Sequence, residues 1–435
     1  MRLNSKKSLF DSVIIGAALF AMFFGAGNMI FPPYLGLKSG TEWFSGFLGY
    51  YIADIGLAII AVLAQIKTGG YKGLFKPLGN IACTAIMFTV VMCVGPIISI
   101  PRTAATTYEL SIIPLFENFN MPVFYAAFFL LVLVMSINKS AVVDIVGKIL
   151  TPVLFIGLLF LIIKGFIDPL GVIEALPKTE SPVADGIEAG YQSMDVLAAV
   201  IFGVLILNSA AEKGHTMQKS KARVAAGASL VAGAGLLIVY IGLTYLGATV
   251  SSVYNMHIYR TELLIALIQS LIPGKGGLIF FSVVAGFACL STAIALTGSA
   301  AEYISDLFKN KISYKAMDII ICVFSAVTSL SGVETLIKIA SPILNVVYPP
   351  VLVMVLLRFF GDKLNVWGYR FAAMSATVMG IFEALKSVGI GADMTSFLPL
   401  DSLGLSWVVP SAVCCLIGAA AGKFIDKSRG DHVKA

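Results

Sequence analysis

Long apolar stretches, separated by short polar segments, run along almost the entire chain. A helix that crosses a bilayer needs ~20 mostly apolar residues at about 1.5 Å rise per residue. Twelve stretches come close to that length, at residues 9–37, 43–66, 80–108, 122–137, 143–166, 191–212, 223–250, 276–307, 316–332, 334–359, 368–390 and 403–424. The pattern therefore predicts an all-α polytopic membrane protein with about twelve transmembrane helices.

The order of these stretches indicates an internal repeat. Five of them precede the longest predicted outer loop, residues 167–190, five follow it, and two more complete the chain. A repeat with an odd number of spans inserts its second copy upside down, as in transporters with inverted-topology repeats. We predict one integral membrane domain over 1–435, with repeat one at about 9–166, repeat two at about 191–360 and two extra helices at about 368–424.

The composition agrees with a membrane protein, and the charges indicate its orientation. Hydrophobic residues make up 58% of the chain and charged residues 12%, against about 25% charged residues in a soluble domain. With a cytoplasmic N-terminus, 22 of the 30 lysines and arginines fall in predicted inner segments, as the positive-inside rule requires. We therefore expect both termini in the cytoplasm and the protein in the inner membrane, and the net charge of +6 requires no nucleic acid partner. No cleavable signal peptide precedes the first span, so we expect that helix in the mature protein.

The first apolar stretch contains the clearest candidate for a binding site, the run FFGAGNMIFPP over residues 23–33. Glycine costs ~1 kcal/mol in a helix interior relative to alanine, and Pro32 and Pro33 lack the N–H groups that would bond back along the helix. In hydrocarbon such a break survives only beside a protein-enclosed cavity, where the freed N–H and C=O groups can hold a zwitterion or a cation. Close helix packing through Gly25 and Gly27 is the alternative interpretation.

Two further stretches carry polar groups at corresponding depths. The sixth, the positional mate of the first, has Gly203 near its centre, followed by Asn208 and Ser209. Paired interruptions in the two halves of a transporter point to its binding site. The eighth stretch has Ser291 and Thr292, whose hydroxyls can complete an oxygen shell for a desolvated sodium ion or bond to their own helix backbone.

The sequence leaves two ionisable residues at membrane depth with open roles. Asp54, near the middle of the second stretch, can bind a proton or a cation, or bond to hydroxyls of a neighbouring helix. Arg102, in the third stretch, can be an outer-gate residue paired with an acid such as Glu109 or Asp195. The six cysteines form no metal-ligand spacing, and all three histidines lie outside the predicted spans, so no catalytic set for an intramembrane enzyme is visible.

At these residues the chain resembles the bacterial branched-chain amino acid transporters of the BrnQ family, the branched-chain amino acid:cation symporters. The resemblance covers nearly the whole chain, with the best-matching stretches at 19–28 with 30–33, 191–195, 301–303 and 347–350. This family looks like a member of the superfamily with the leucine-transporter-type fold. The resemblance therefore implies two inverted five-helix repeats plus two helices, broken first and sixth helices, and alternating access.

The resemblance also implies two sets of site residues. Substrate contacts are expected at Gly25, Ala26, Gly27, Asn28, Phe202 and Gly203. A sodium site is expected at carbonyls near Ala21, Phe24 and Ala288 and at the hydroxyls of Ser291 and Thr292.

The resulting expectation is uptake of leucine, isoleucine and valine coupled to a cation gradient, with sodium as the coupling ion and no further cofactor. An apolar pocket distinguishes one methylene by only ~1–3 kcal/mol, so several aliphatic substrates should compete. The alternatives are a proton-coupled transporter of another small neutral amino acid, a channel or an amino acid sensor. The expected partners are the amino acid, the cation and the lipid bilayer, and the sequence leaves the oligomeric state open.

Overall fold

The protein is described by a computed structural model that covers residues 2–116, 118–137, 151–215, 217–360, 364–391 and 394–432. Within these ranges every regular element is a helix and no strand occurs. The all-α prediction is therefore confirmed. The predicted fifth span, 143–166, begins outside the described residues and is seen from Thr151 onward.

The described helices are numbered in chain order. Those of the first half are α1 (Arg2–Phe23), α2 (Ala26–Ser39), α3 (Trp43–Tyr51), α4 (Leu57–Thr68), α5 (Tyr71–Phe75), α6 (Asn80–Met92), α7 (Ser99–Thr107), α8 (Met121–Ser136) and α9 (Thr151–Ile167). Those of the second half are α10 (Pro182–Ser193), α11 (Asp195–Glu212), α12 (Gln218–Ala248), α13 (Arg260–Leu271), α14 (Lys275–Leu307), α15 (Tyr314–Ser329), α16 (Val333–Phe360), α17 (Val366–Ser387) and α18 (Val408–His432).

Among the described residues, six helical segments are long and apolar enough to cross a membrane by length and composition. They are Ala26–Thr68, Asn80–Ile112, Asp195–Glu212, Gln218–Ala248, Lys275–Leu307 and Val333–Phe360. Shorter apolar helices occupy Met121–Ser136, Pro152–Ile167 and Val408–Lys423. The protein is thus a multi-pass membrane protein, while the count of twelve spans and the division into repeats stay predictions.

Two spans, the second and the third, contain π-helical turns, which occur at Ile52–Gly56, Cys93–Ile97 and Tyr108–Ile112. A π-turn inserts one extra residue into the helix, and such turns are frequent at functional sites. The turn at Ile52–Gly56 joins α3 to α4 and carries Asp54 at its centre. The second span is therefore not a uniform α-helix where the sequence places its acidic residue.

The sixth span differs from its predicted boundaries. Residues 167–190 were expected to form an outer loop, but a helix begins at Pro182 and continues to Ser193. Proline is well suited to the first helical position, and the Ser181 hydroxyl accepts the backbone N–H of Ala184 at 3.3 Å to cap the helix. The expectation of a loop as far as residue 190 was wrong, because acidic residues and a proline in this segment obscure the start of the helix.

Glycines let the half-helices of the first and sixth spans contact the bundle closely. A Cβ added to Gly247 of α12 would lie 1.8 Å from the carbonyl oxygen of Pro33, and one added to Gly36 would lie 1.9 Å from that of Thr244. A Cβ on Gly186 of α10 would lie 2.1 Å from the carbonyl oxygen of Gly46 in α3. Small residues at helix interfaces permit such backbone contact in membranes, and here they fix α2 and α10 beside the centre of the bundle.

Candidate functional site

The first span is interrupted at Phe24 and Gly25, between α1 and α2. The N–H of Phe24 still bonds to the Phe20 carbonyl at 2.8 Å, whereas the N–H of Gly25 donates to Oδ1 of Asn28 at 3.3 Å. Gly25 has an extended backbone, with φ −116° and ψ −156°. The interruption therefore lies at the start of the glycine-rich run in which the sequence predicts it.

The sixth span is interrupted at Met194, which has φ 68° and separates α10 from α11. A non-glycine residue in this left-handed region is uncommon. Gly203 and the following Asn208 and Ser209, which were expected to mark this interruption, all lie within the continuous helix α11. That expectation was wrong, because a methionine gives no sequence signal for a break.

The two interruptions meet at the centre of the protein. Nδ2 of Asn28, in the first turn of α2, donates to Oδ2 of Asp195 at 2.8 Å, where Asp195 is the first residue of α11. The same Asn28 amide contacts the hydroxyl of Tyr240 in α12, and that hydroxyl donates to Asp195 Oδ2 at 3.3 Å. Asp195, which the sequence offers only as a possible partner of Arg102, is buried in this network.

A small closed cavity of about 10 Å³ lies at this meeting point. A cavity of this size holds about one water molecule. Its lining comes from both interrupted spans and from the third and eighth spans: Met22, Phe23, Gly25, Ala26, Gly27, Asn28, Val94, Ser99, Arg102, Ser193, Met194, Asp195, Ala198, Thr292 and Leu296. Four of the predicted substrate-contact residues, Gly25 to Asn28, thus lie together on one cavity.

Phe202 and Gly203 do not line this cavity. The Phe202 ring packs behind the cavity residue Phe23, with ring centroids 5.6 Å apart. Gly203 makes room for the side chain of Gln65, since an added Cβ would lie 2.4 Å from Gln65 Nε2. The described residues of the sixth span that do reach the cavity are Ser193 to Asp195 and Ala198.

Arg102 places a guanidinium group at the cavity. Its Nη1 donates to the Gln192 carbonyl at 2.7 Å and its Nη2 to the Ser193 carbonyl at 3.4 Å, so it binds the last carbonyls of α10. Asp195, one of the acids considered as its partner, lies near enough to act on it electrostatically. The other, Glu109, instead accepts bonds from Thr261 and Val333.

The hydroxyls of the eighth span reach the broken first span. Ser291 Oγ donates to the carbonyl oxygen of Ala21 at 2.7 Å and lies 2.9 Å from that of Ala288. Thr292 Oγ1 donates to the carbonyl oxygen of Met22 at 3.0 Å. Three of the five residues predicted for a sodium site, Ala21, Ala288 and Ser291, therefore place their oxygens together. Of the other two, Thr292 lies next to Ser291 and Phe24 belongs to the interruption of the first span.

Two larger cavities flank the closed one. A cavity of about 440 Å³ on the predicted outer side is lined by Phe31, Lys38, Asp185 and Arg260, among other residues. A cavity of about 330 Å³ on the predicted inner side is lined by residues that include Lys72. The central cavity is thus separated from an opening on each side of the bundle.

Comparison with known proteins decides the family. Residues 8–425 match the family model described as branched-chain amino acid transport protein. The chain belongs to this family. It is 32% identical to the branched-chain amino acid permease BraB of Bacillus subtilis, with 96% of this chain and 97% of that protein covered. It is 34% identical to the branched-chain amino acid transport system 3 carrier protein of Pseudomonas aeruginosa, with 95% and 97% covered.

Solved structures of other transporters share the fold of this family member. A Na⁺-coupled sialic acid symporter in a substrate-bound outward-open state matches with a TM-score of 0.61 at 14% identity, covering 94% of this chain and 90% of that one. MhsT in complex with L-phenylalanine matches with a TM-score of 0.57 at 17% identity, covering 93% and 97%. The predicted leucine-transporter-type fold is thereby confirmed. Because its relatives are permeases and carriers, the protein is a transporter and not an enzyme.

Proposed function

We propose that this protein takes up leucine, isoleucine and valine by sodium-coupled secondary active transport, with alternating access to the central cavity. The observation that best supports this is the closed cavity at which two interrupted helices, α2 and α11, both begin. We also propose that the protein lies in the inner membrane with both termini in the cytoplasm, as the distribution of basic residues predicts.

The charges around the cavity suit the backbone of an amino acid. The first N–H groups of a helix have no backbone partner within the helix and carry a partial positive charge, so those of Ala26 and Gly27, which follow Gly25 at the start of α2, can bind a carboxylate. Asp195 offers a carboxylate for the ammonium group, and Arg102, whose Nη2 would lie 2.9 Å from a Cβ added to Gly27, adds a positive charge beside the start of α2. A zwitterion therefore finds complementary groups at both of its ends.

The remaining lining suits an aliphatic side chain. Phe23, Val94, Ala198 and Leu296 bring apolar atoms to the cavity, and Phe202 supports Phe23 from behind. An apolar pocket of this kind favours branched hydrocarbon side chains without separating them sharply. Since the cavity of about 10 Å³ is far too small for leucine, the proposed substrate must displace lining residues when it binds.

A sodium ion is proposed to bind where the eighth span meets the first. Sodium is a hard cation that prefers oxygen ligands, as magnesium and calcium do. The Ser291 hydroxyl oxygen already lies 2.7 Å from the carbonyl oxygen of Ala21 and 2.9 Å from that of Ala288. Sodium binding there would connect the inner half-helix α1 to α14, which gives the ion an influence on the position of the broken helix.

Alternating access requires the central cavity to open to each flanking cavity in turn. On the outer side, the ring of Phe31 stands between the guanidinium groups of Arg102 and Arg260, each 5.7 Å from its centroid. Arg260 is held by Glu334 at 2.6 Å. We propose that displacement of Phe31 opens the outer path, since this ring lines the outer cavity while Arg102 lines the central one.

Uptake into liposomes tests the proposal. Purified protein is reconstituted, and radiolabelled leucine accumulation is measured with a sodium gradient at equal pH, and separately with a pH gradient at equal sodium. The sodium gradient is expected to drive accumulation, and isoleucine and valine, but not lysine or glutamate, should compete. Equal leucine accumulation with and without the sodium gradient would contradict sodium coupling, and no leucine-specific flux in any condition would contradict the proposed transport.

A further inference from the structure

Asp54 is a buried acid that the proposed transport cycle does not yet use. It lies in the π-helical turn Ile52–Gly56 of the second span with none of its surface exposed. Neither carboxylate oxygen forms a hydrogen bond with any group in the described ranges. An ionised carboxylate in this setting has lost its water without receiving a replacement, which is costly.

The groups that surround Asp54 come from several helices. They are Tyr50 on its own span, Asp195 at the start of α11, Tyr240 on α12 and Tyr348 on α16. Helix α10 packs its backbone against the π-turn, since a Cβ on Gly190 would lie 3.1 Å from the Asp54 nitrogen. The charged group that acts on Asp54 is another carboxylate, that of Asp195, whereas Arg102 acts on Asp195.

Two of the hydroxyls near Asp54, those of Tyr50 and Tyr240, are engaged elsewhere, whereas the Tyr348 hydroxyl has no hydrogen-bond partner in the described ranges. Tyr50 bonds to the Ser193 hydroxyl at 2.8 Å, and Tyr240 bonds to Asp195 and Asn28. The backbone N–H of Asp195 and both hydroxyls are close enough to Asp54 to act on it electrostatically, but they do not reach hydrogen-bond geometry. Asp54 is therefore enclosed by polar groups without being bonded to them.

The hydrogen bonds indicate which of the two acids is ionised. Asp195 accepts hydrogen bonds from Asn28 and Tyr240 and has Arg102 as a counter-charge. These groups stabilise the ionised form of its carboxyl group. Two ionised carboxylates at close range in a low dielectric repel strongly, and one of such a pair takes up a proton. Asp54, whose oxygens accept no hydrogen bond within the described ranges and on which no cation acts, is the member that carries it.

A proton suits this position better than a metal ion. Hard metal ions need a shell of several oxygen ligands, whereas the hydroxyls of Tyr50 and Tyr240 are bonded to other groups and the described residues hold no cluster of three acidic, cysteine or histidine ligands. A proton requires only the carboxyl group itself. The Asp54 position therefore differs in chemistry from the carbonyl-and-hydroxyl cluster around Ser291.

We propose that Asp54 is a proton-binding site and that the central cavity closes only when this carboxyl group is protonated. The inference rests on the proposed transport function. When either flanking path opens, water reaches the turn and Asp54 can ionise. Closure removes that water, so the charged form resists closure and the neutral form permits it. Asp54 thus acts as a positioning residue for the closed state and does not contact the substrate.

The test compares Asp54→Asn with wild type in leucine exchange, measured with equal sodium, leucine and pH on both sides of the liposome. Exchange by wild type should fall on the alkaline side, approaching tenfold per pH unit as a single-proton requirement dictates. D54N stays neutral at every pH, so its exchange should match wild type at acidic pH and not fall. The matched control is Asp318→Asn, since Asp318 is also buried but accepts the Ser136 hydroxyl on both oxygens, and it should keep the wild-type alkaline fall.

A second measurement reads the proton directly. Difference infrared spectra of wild type and D54N at neutral pH should show the carbonyl stretch of a protonated carboxylic acid that is present only in wild type. Should D54N fail to assemble, Asp54→Glu takes its place, and its alkaline fall should move to a different pH because a titrating group is retained.

The outcomes separate this inference from the proposed function. Two results would overturn the role of Asp54 and leave transport intact. One is leucine exchange by wild type that does not change with pH, and the other is exchange that falls equally with pH in wild type and D54N. Absence of the infrared band would do the same. Absence of any leucine exchange by wild type, with the infrared band present, would overturn the transport proposal while the proton site stands.

Discussion

Replacing Gly25 with alanine tests the contact between the broken first span and the eighth span. An added Cβ would lie 2.8 Å from Thr292 Oγ1 and 3.0 Å from its Cγ2. Real Cβ atoms do not approach so closely, so the Thr292 side chain or the interruption must move. Because φ at Gly25 is −116°, alanine adopts this backbone without strain, and the cost of G25A arises from the contact.

The size of the effect follows from the packing. Inserting a methyl group into a filled site costs about 1–3 kcal/mol. If Thr292 turns away, it also gives up its 3.0 Å bond to the Met22 carbonyl, worth about 0.5–1.5 kcal/mol. Since Gly25 directly precedes the N–H groups proposed to bind the substrate carboxylate, we expect the dissociation constant for leucine to rise roughly 5- to 150-fold.

The assay is equilibrium binding of leucine to purified protein, with thermal unfolding measured in parallel. Gly286→Ala is the matched control, because Gly286 lies on the same helix as Thr292 and an added Cβ there meets no atom within 4 Å. G286A should bind leucine as wild type does. A double-mutant cycle with Thr292→Ala should show that the G25A defect shrinks by about 0.5–3 kcal/mol when Thr292 is truncated.

Two results would refute this reasoning. G25A could bind leucine as tightly as G286A does, which would mean that the interruption is not packed against α14. Alternatively, the defects of G25A and T292A could add without coupling, which would mean that the loss arises somewhere other than the Gly25–Thr292 contact.

Two further predictions concern the sodium site and the helix interface. Ser291→Ala removes a hydroxyl 2.7 Å from a carbonyl of the first span, so the half-saturating sodium concentration in leucine uptake should rise about 2- to 12-fold. The control Ser229→Ala loses only a bond to its own helix and should leave that concentration unchanged. Equal effects of the two substitutions would contradict the proposed site. Gly247→Ala would put a Cβ 1.8 Å from the Pro33 carbonyl oxygen. Thermal unfolding in detergent should therefore show that the free energy of unfolding falls by at least about 1–3 kcal/mol. The control Gly276→Ala, whose added Cβ meets no atom within 4 Å, should unfold as wild type does.

The parts of the site that the sequence predicts are those with a distinctive local composition. Glycine and proline within an apolar stretch are costly in a helix, so the run from Gly25 to Pro33 shows where the first span is interrupted. Ser291 and Thr292 stand out because adjacent hydroxyls are uncommon in such apolar surroundings. In both cases the residue type itself carries the information.

The parts that the sequence does not predict depend on contacts between distant segments. Met194 adopts a left-handed backbone with no glycine to indicate it, so the interruption of the sixth span was placed near Gly203. Gly203 serves to admit the side chain of Gln65, and a glycine used for packing cannot be distinguished in sequence from one used for a break. Asp195 likewise gains its position only because α10, which begins at Pro182, ends at Ser193, two residues before it.

The structure also shows why binding of a substrate should alter the closed state. In the closed cavity Asn28 holds the interruptions together, since its Nδ2 donates to Asp195 while its Oδ1 accepts the N–H of Gly25. Under the proposed function, a substrate ammonium group on Asp195 takes over the role of that Nδ2 donor. The direct link between α2 and α11 is then replaced by one that passes through the substrate, whose carboxylate lies at the start of α2. A substrate that lacks either charged group cannot make this replacement. Leucine should therefore be bound in preference to leucine amide, which lacks the carboxylate, and to isocaproate, which lacks the ammonium group. If either analogue competes as well as leucine in the binding assay, this arrangement is contradicted.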